Sequence, residues 1–145
     1  MQSGADIYMT VKARILFICT HNAARSQMAE GLVNGILADS YEARSAGTKP
    51  GKIHPMAFRA MTEIGIDISH QRSKHLDEFK GQDFDYVATL CSDAEEICPF
   101  FPGKEHVHHS FSDPADVEGS DQEVLAQFRR TRDEIRAWIE ATFNG

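Results

Sequence analysis

The rhythm of apolar and polar positions changes several times along the chain, and each change marks an element. Residues 13–19, ARILFIC, form a short apolar run with β-branched and aromatic content, which predicts a buried strand. From Ala24 the rhythm becomes helical. Met28, Leu32 and Ile36, with Ala29 and Val33, recur at spacings of three and four and predict a helix to about Ala38. Residues 41–47, YEARSAG, read as a second strand closed by a glycine turn. His54-Pro55 opens a second helix through Met56, Ala60 and Ile64, stopped at Gly65. A short polar helix is predicted near 74–79, a third strand at 84–90 and a short fourth strand at 105–110. The last element is a long amphipathic helix over 121–142, carrying Val124, Leu125, Phe128, Ile135, Trp138 and Ile139.

Strands alternating with helices predict an α/β fold of three layers, α/β/α, around a four-stranded parallel sheet. In such sheets ligands bind beyond the carboxyl ends of the strands. Cys19 and Cys91 both follow strands directly, so both thiols are expected on one rim of the molecule. A chain of 145 residues suits one domain. Residues 1–12 read as a leader, in part disordered, and 13–145 as a single domain. The leader lacks the basic start and apolar stretch of a signal peptide, and no apolar run is long enough to cross a bilayer.

Charge narrows the partners. The net charge is -7 and no basic cluster offsets it, which argues against nucleic acid and anionic membranes as partners. Three cysteines, Cys19, Cys91 and Cys98, make an odd count. Without a signal peptide they predict reduced thiols in the cytoplasm, kept for chemistry or packing rather than for a disulfide scaffold.

Candidate chemistry begins at Cys19. The loop Thr20, His21, Asn22, Ala23 and Ala24 leads into a helix whose start offers N–H groups and a positive dipole end. Arg25 adds a forked, permanent cation suited to a tetrahedral oxyanion. The same field favours a thiolate at Cys19, and Ser26 can donate a hydrogen bond to it. On local physics alone the alternative stands level: a buried cysteine ending a strand, beside a surface arginine.

Cys91 and Cys98 stand seven positions apart, joined by the helix-compatible SDAEEI with Ser92 as a candidate N-cap. Two helical turns separate them by roughly 10.5 Å along the axis. A disulfide needs Cα atoms within about 7 Å, so a bond between them requires that helix to unravel. Two independent cysteines remain the competing reading, since the spacing fits neither a zinc pattern nor a CxxC motif. Asp113 before Pro114 is held extended, which aims a carboxyl as a general acid or simply marks a turn. His106 and His108 share a strand face but lack a suitably spaced partner, and a solvated strand end accounts for them more simply than a metal.

Taken together, Cys19, Arg25 and Ser26 after a first strand, with a late Asp113-Pro114, resemble the signature of the low-molecular-weight protein tyrosine phosphatase fold. The likeness extends to the thioredoxin-coupled arsenate reductases built on that fold. It is carried by RSQMAEG, 45-SAG-47, 65-GIDIS-69, 87-VATLCSDAEEICP-99, 111-FSDPA-115 and 129-RRTRDEI-135, in order, over nearly the whole chain after the leader. The resemblance implies an oxidoreductase working by a thiol relay. Cys19 would attack arsenate held by the amides of Thr20 to Ala24 and by Arg25, with Asp113 as acid. Cys91 would then attack Cys19 and release arsenite, and Cys98 would attack Cys91, leaving a Cys91–Cys98 disulfide for thioredoxin. It also implies a cytoplasmic monomer without a tightly bound cofactor and, in some relatives, a potassium ion near Asn22, Glu30, Ser45 and Asp67.

His21 stands where that family's loop commonly has glycine, Asn22 matches the family asparagine whose side chain braces the loop, and Ala23-Ala24 stand where polar residues are frequent. Glycine supplies a positive φ at no cost, so His21 is expected to point outward and tune the loop. The competing activity is hydrolysis of phosphate monoesters, which needs the same loop, Cys19, Arg25 and Asp113. A phosphotyrosine site also needs an aromatic wall. Here Ala115-Asp116 and 48-TKPGKIHP-55 offer none, which suits a small tetrahedral ion better. A non-catalytic anion-binding or redox-sensing protein is the remaining alternative, and it would turn over neither substrate.

Overall fold

Four strands, β1 (Ala13–Ile18), β2 (Tyr41–Ala46), β3 (Tyr86–Thr89) and β4 (Glu105–His108), lie in the order β2-β1-β3-β4, all parallel, in a computed structural model. It describes residues 11–92 and 99–143. Most of the expected leader, the helix expected between Cys91 and Cys98, and Cys98 itself lie outside the described residues.

β1 takes the central place because it is apolar on both sides. Ile15 and Phe17 face one core with Met28, Leu32, Ala57, Met61, Phe128, Ile135 and Ile139. Leu16 and Ile18, of opposite parity, face a second core with Leu76, Phe79, Phe84, Val87 and Phe101. The first core is roofed by three helices, α1 (Arg25–Ile36), α2 (Pro55–Thr62) and α3 (Asp121–Thr142). The second layer is thinner. Among the described residues it is a short 3-10 helix, Leu76–Phe79, with flanking loops.

The elements follow the expected positions with local trims. α3 begins where Ser120 and Glu123 form a reciprocal capping box and spans the expected residues. α2 starts after His54, whose ring nitrogen accepts from the Met56 N–H at 3.1 Å, and Gly65 takes a φ of 79° just beyond its end. α1 is shorter than the expected 24–38 at both ends. β3 is shorter than 84–90 because Phe84 turns into the second core and the Asp85 carboxylate is spent on the Arg14 N–H at 2.8 Å. β4 stops at His108 instead of reaching 110. The polar helix expected at 74–79 is the tighter 3-10 turn, started by His75 accepting from the Asp77 N–H. The turn signalled by Asp113-Pro114 takes the form of a further 3-10 turn over Pro114–Asp116.

Candidate functional site

β1 ends on Ile18 and delivers Cys19 to the carboxyl rim of the sheet, where it is 1% exposed. Cys91 follows β3 on the same rim and is fully buried. The register pairs Ile18 with Thr89, so both strands leave the sheet at the same level, as the sequence led us to expect. Both cysteines are reduced.

Between Cys19 and Arg25 the chain wraps into a loop whose carbonyls turn outward. Thr20 O accepts from Lys49 N (2.9 Å), His21 O from Ser73 Oγ (3.0 Å), Asn22 O from Gln27 Nε2 (3.0 Å) and Ala23 O from His54 N (2.9 Å). In a planar trans peptide the N–H points opposite to the C=O. The N–H groups of His21, Asn22, Ala23 and Ala24 are therefore directed away from these partners, to the inner side of the loop. Such a run of inward amides is an anion-binding nest. α1 then starts at Arg25 with no side-chain cap and no acidic residue in its first turn, leaving its amino end to an outside anion.

The positive backbone angle that such a loop needs is taken by Asn22 (φ 49°), not by His21. Asparagine tolerates this conformation better than most side chains, which explains how the loop closes without glycine at position 21. His21 is exposed, as expected. The glycine that the loop does require is Gly47. A Cβ there would lie 2.4 Å from Thr20 O and 2.7 Å from Cys19 O, so no larger residue fits against the loop backbone.

Cys19 Sγ lies 2.8 Å from Ser26 Oγ, and Asn22 Nδ2 donates to that same oxygen at 2.7 Å. With Asn22 donating into Ser26, the Ser26 proton is available to the sulfur, the arrangement a thiolate requires. Arg25 is 1% exposed; one terminal nitrogen donates to Phe111 O (3.1 Å) and the other lies 3.5 Å from Asp113 Oδ2. Asp113 is extended, as its proline predicts, and its Oδ1 accepts from Ala115 N at 3.0 Å. One carboxylate oxygen is thus tied to the turn while the other faces the guanidinium. Cys19, the loop, Arg25, Ser26 and Asp113 converge as the sequence suggested.

The resemblance grouped Asn22, Glu30 and Ser45, but the parts of Lys74, Gln27 and Gln71 beside them were not legible from sequence. Asn22 Nδ2 also donates to Ser45 Oγ (3.0 Å), and Ser45 Oγ donates to Glu30 Oε1 (2.5 Å). Lys74 Nζ stands 3.9 Å from that oxygen. Burial pushes the Glu30 carboxyl above its ordinary range, opposed by the Ser45 hydrogen bond and the Lys74 ammonium. Burial pushes Lys74 down, opposed by Glu30. Gln27 donates to Asn22 Oδ1 (2.8 Å) and is itself held by Gln71 Nε2 (2.8 Å). Segment 71–74 therefore braces the loop from outside. Its polar residues carry no periodicity, so nothing in the sequence marked them as partners of the loop. Of the histidines considered for a metal, His106 donates to Phe101 O and His108 bonds Thr89 and Ser110. Among the described residues no cluster of three metal-ligating side chains occurs.

Comparison with known proteins places this geometry. The family model described as low molecular weight phosphotyrosine protein phosphatase matches residues 14–144. An arsenate reductase of Halalkalibacterium halodurans is 50% identical over 125 residues, covering 86% of this chain and 90% of its own. A solved structure of an arsenate reductase in the reduced state superposes with a TM-score of 0.75 at 29% identity, covering 91% of this chain and 97% of that one. A thioredoxin-dependent arsenate reductase of Corynebacterium glutamicum gives a TM-score of 0.61 at 30% identity, covering 97% of this chain and 68% of that one.

Proposed function

We propose, from the premise that the chain belongs to the low molecular weight phosphotyrosine protein phosphatase family, that it is an arsenate reductase working by a three-cysteine relay. The observation that carries this reading is the pair of reduced cysteines on one rim, Cys19 in the anion loop and Cys91 at the next strand end. Relatives named arsenate reductase support it.

The loop amides and Arg25 bind arsenate, and the Cys19 thiolate attacks arsenic while Asp113 gives a proton to the departing oxygen, which leaves as water. The Cys91 thiolate then attacks Cys19 Sγ. The electrons of the arsenic–sulfur bond pass to arsenic, arsenite leaves and a Cys19–Cys91 disulfide remains. Attack by Cys98 on Cys91 frees Cys19 as a thiolate and leaves Cys91–Cys98 oxidised. A dithiol reductant restores the pair. We take this to be thioredoxin, and the protein to be a cytoplasmic monomer without a tightly bound cofactor. The resemblance to a thioredoxin-dependent relative supports the choice of reductant. No helix among the described residues is long and apolar enough to cross a membrane.

Phosphatase chemistry is the second reading, favoured by the family itself, because Cys19, Arg25 and Asp113 also suit a phosphate monoester. The rim argues for the smaller ion: the segment that donates Lys49 N to the loop has no aromatic residue, and Ala115 and Asp116 follow the acid. Arsenate-dependent oxidation of NADPH, with thioredoxin and its reductase supplied, tests the proposal. Cys91→Ser and Cys98→Ser should abolish turnover while slow aryl phosphate hydrolysis, which needs only Cys19, survives. Vigorous aryl phosphatase activity with no arsenate turnover would overturn it.

A further inference from the structure

A potassium ion near Asn22, Glu30, Ser45 and Asp67 is what the resemblance implies, and the side chains present do not fit one. A hard cation needs several oxygens turned upon it. Here Asn22 Oδ1 already accepts from Gln27 Nε2 (2.8 Å) and from Lys74 N (3.0 Å), while its Nδ2 faces the two serines. Glu30 Oε1 takes the Ser45 hydroxyl. Asp67 is exposed, and its Oδ1 accepts from Ser69 N at 2.8 Å.

The cation at this place belongs to the chain. Lys74 has a side chain only 8% exposed, with Nζ 3.9 Å from Glu30 Oε1 and donating to Arg72 O at 2.8 Å. Its backbone serves the same cluster: Lys74 N donates to Asn22, and Lys74 O accepts from Gly47 N at 3.0 Å. One residue thus fastens Glu30 by its charge, Asn22 by its amide and Gly47 by its carbonyl. All three lead to the Cys19 loop: Glu30 through Ser45, Asn22 through Ser26, and Gly47 by direct contact with the loop backbone. A buried carboxylate such as Glu30 needs a counter-charge, and an ammonium tethered to the loop's own brace supplies it without loss of translational freedom.

We propose that the Lys74 ammonium is a built-in cation that positions Glu30, Ser45 and Asn22 beneath the Cys19 loop, so that the oxyanion site needs no free monovalent cation. Lys74 is a positioning residue and touches no reacting atom. The inference rests on reading the loop as an oxyanion site. Aryl phosphate hydrolysis reads that loop without requiring arsenate reduction, so absence of arsenate turnover would sink the proposed function and leave this test intact.

The experiment measures melting temperature and aryl phosphate kcat/KM in KCl, NaCl and choline chloride at one ionic strength. The wild-type protein should give the same values in all three salts. Lys74→Ala should lose about tenfold in kcat/KM in choline chloride, recover part of it in KCl, and show a saturable rise in melting temperature with KCl. Adding Glu30→Gln to that variant should abolish the KCl response. Lys74→Arg, which keeps the charge, should stay indifferent to salt identity. A saturable, KCl-specific rise in the wild type or in Lys74→Arg would overturn the proposal, and these two arms hold even if Lys74→Ala fails to fold. So would a Lys74→Ala protein with wild-type kcat/KM, or one whose loss KCl leaves untouched in both readouts.

Discussion

Glu30 and Glu63 each meet basic side chains, but in opposite surroundings. Glu30 is 6% exposed and stands 3.9 Å from Lys74, inside a buried chain of hydrogen bonds that ends on the Cys19 sulfur. Glu63 is 35% exposed; Arg129 grips it at 2.9 and 2.6 Å, and Arg132 reaches it at 3.0 Å. Burial raises the first carboxyl, whereas the Arg129 hydrogen bonds hold the second down at about 2. The two clusters therefore serve different ends. The exposed cluster ties α2 to α3 and contributes to stability alone. The buried one is costly to desolvate and gives its return at the site.

Breaking the buried cluster should have the largest effect. Glu30→Ala leaves Lys74 buried without its counter-charge and should cost about 3 to 5 kcal/mol in denaturant unfolding, with loss of aryl phosphate turnover. A cost no greater than that of the Glu63 variant would erase the contrast. Gly47→Ala comes next, because a Cβ 2.4 Å from Thr20 O must displace the loop. It should lower kcat/KM roughly 100-fold while the melting temperature moves little. Equal losses in both would mean that the glycine serves folding and not the loop.

Glu63→Gln should cost on the order of 1 kcal/mol, the range of a half-exposed ion pair. Its effect depends on pH. The folded carboxyl lies at about 2 against an ordinary 4.5, so its stabilisation is fully present above pH 4.5 and is lost as pH falls through 2. Urea midpoints measured across that window should fall less steeply for the variant than for the wild type. Parallel curves would contradict the assignment. Smallest of all is Arg72→Ala. Among the described residues its guanidinium pairs with exposed Glu78, while the Arg72 carbonyl that holds Lys74 remains, so neither stability nor turnover should change measurably.

Where chemistry and periodicity coincide, the sequence was legible. α3 shows a helical stripe and a capping box, and β1 shows an apolar run ending on cysteine. The C-x5-R spacing located the anion loop, and the Asp-Pro pair located Asp113. Of the bracing of that loop only the part of Asn22 was legible, through the family resemblance. Gln71, Ser73 and Lys74 come from a polar stretch some fifty positions after the loop, and only the folded chain brings them to it. The same limit explains the loop's unusual angle. Likeness to a glycine-bearing family pointed to position 21, whereas the neighbouring asparagine takes the strained conformation, stabilised by hydrogen bonds from Gln27 and Lys74 to its side chain.

Whether Cys19 opens a thiol relay can be read from a single turnover without reductant. Fully reduced protein, with its three thiols, is mixed with arsenate, and arsenite and remaining thiols are counted. A relay gives one arsenite per chain, two thiols consumed, and a Cys91–Cys98 disulfide in the mass spectrum with Cys19 again reduced. Three thiols remaining, with no arsenite formed, would contradict it.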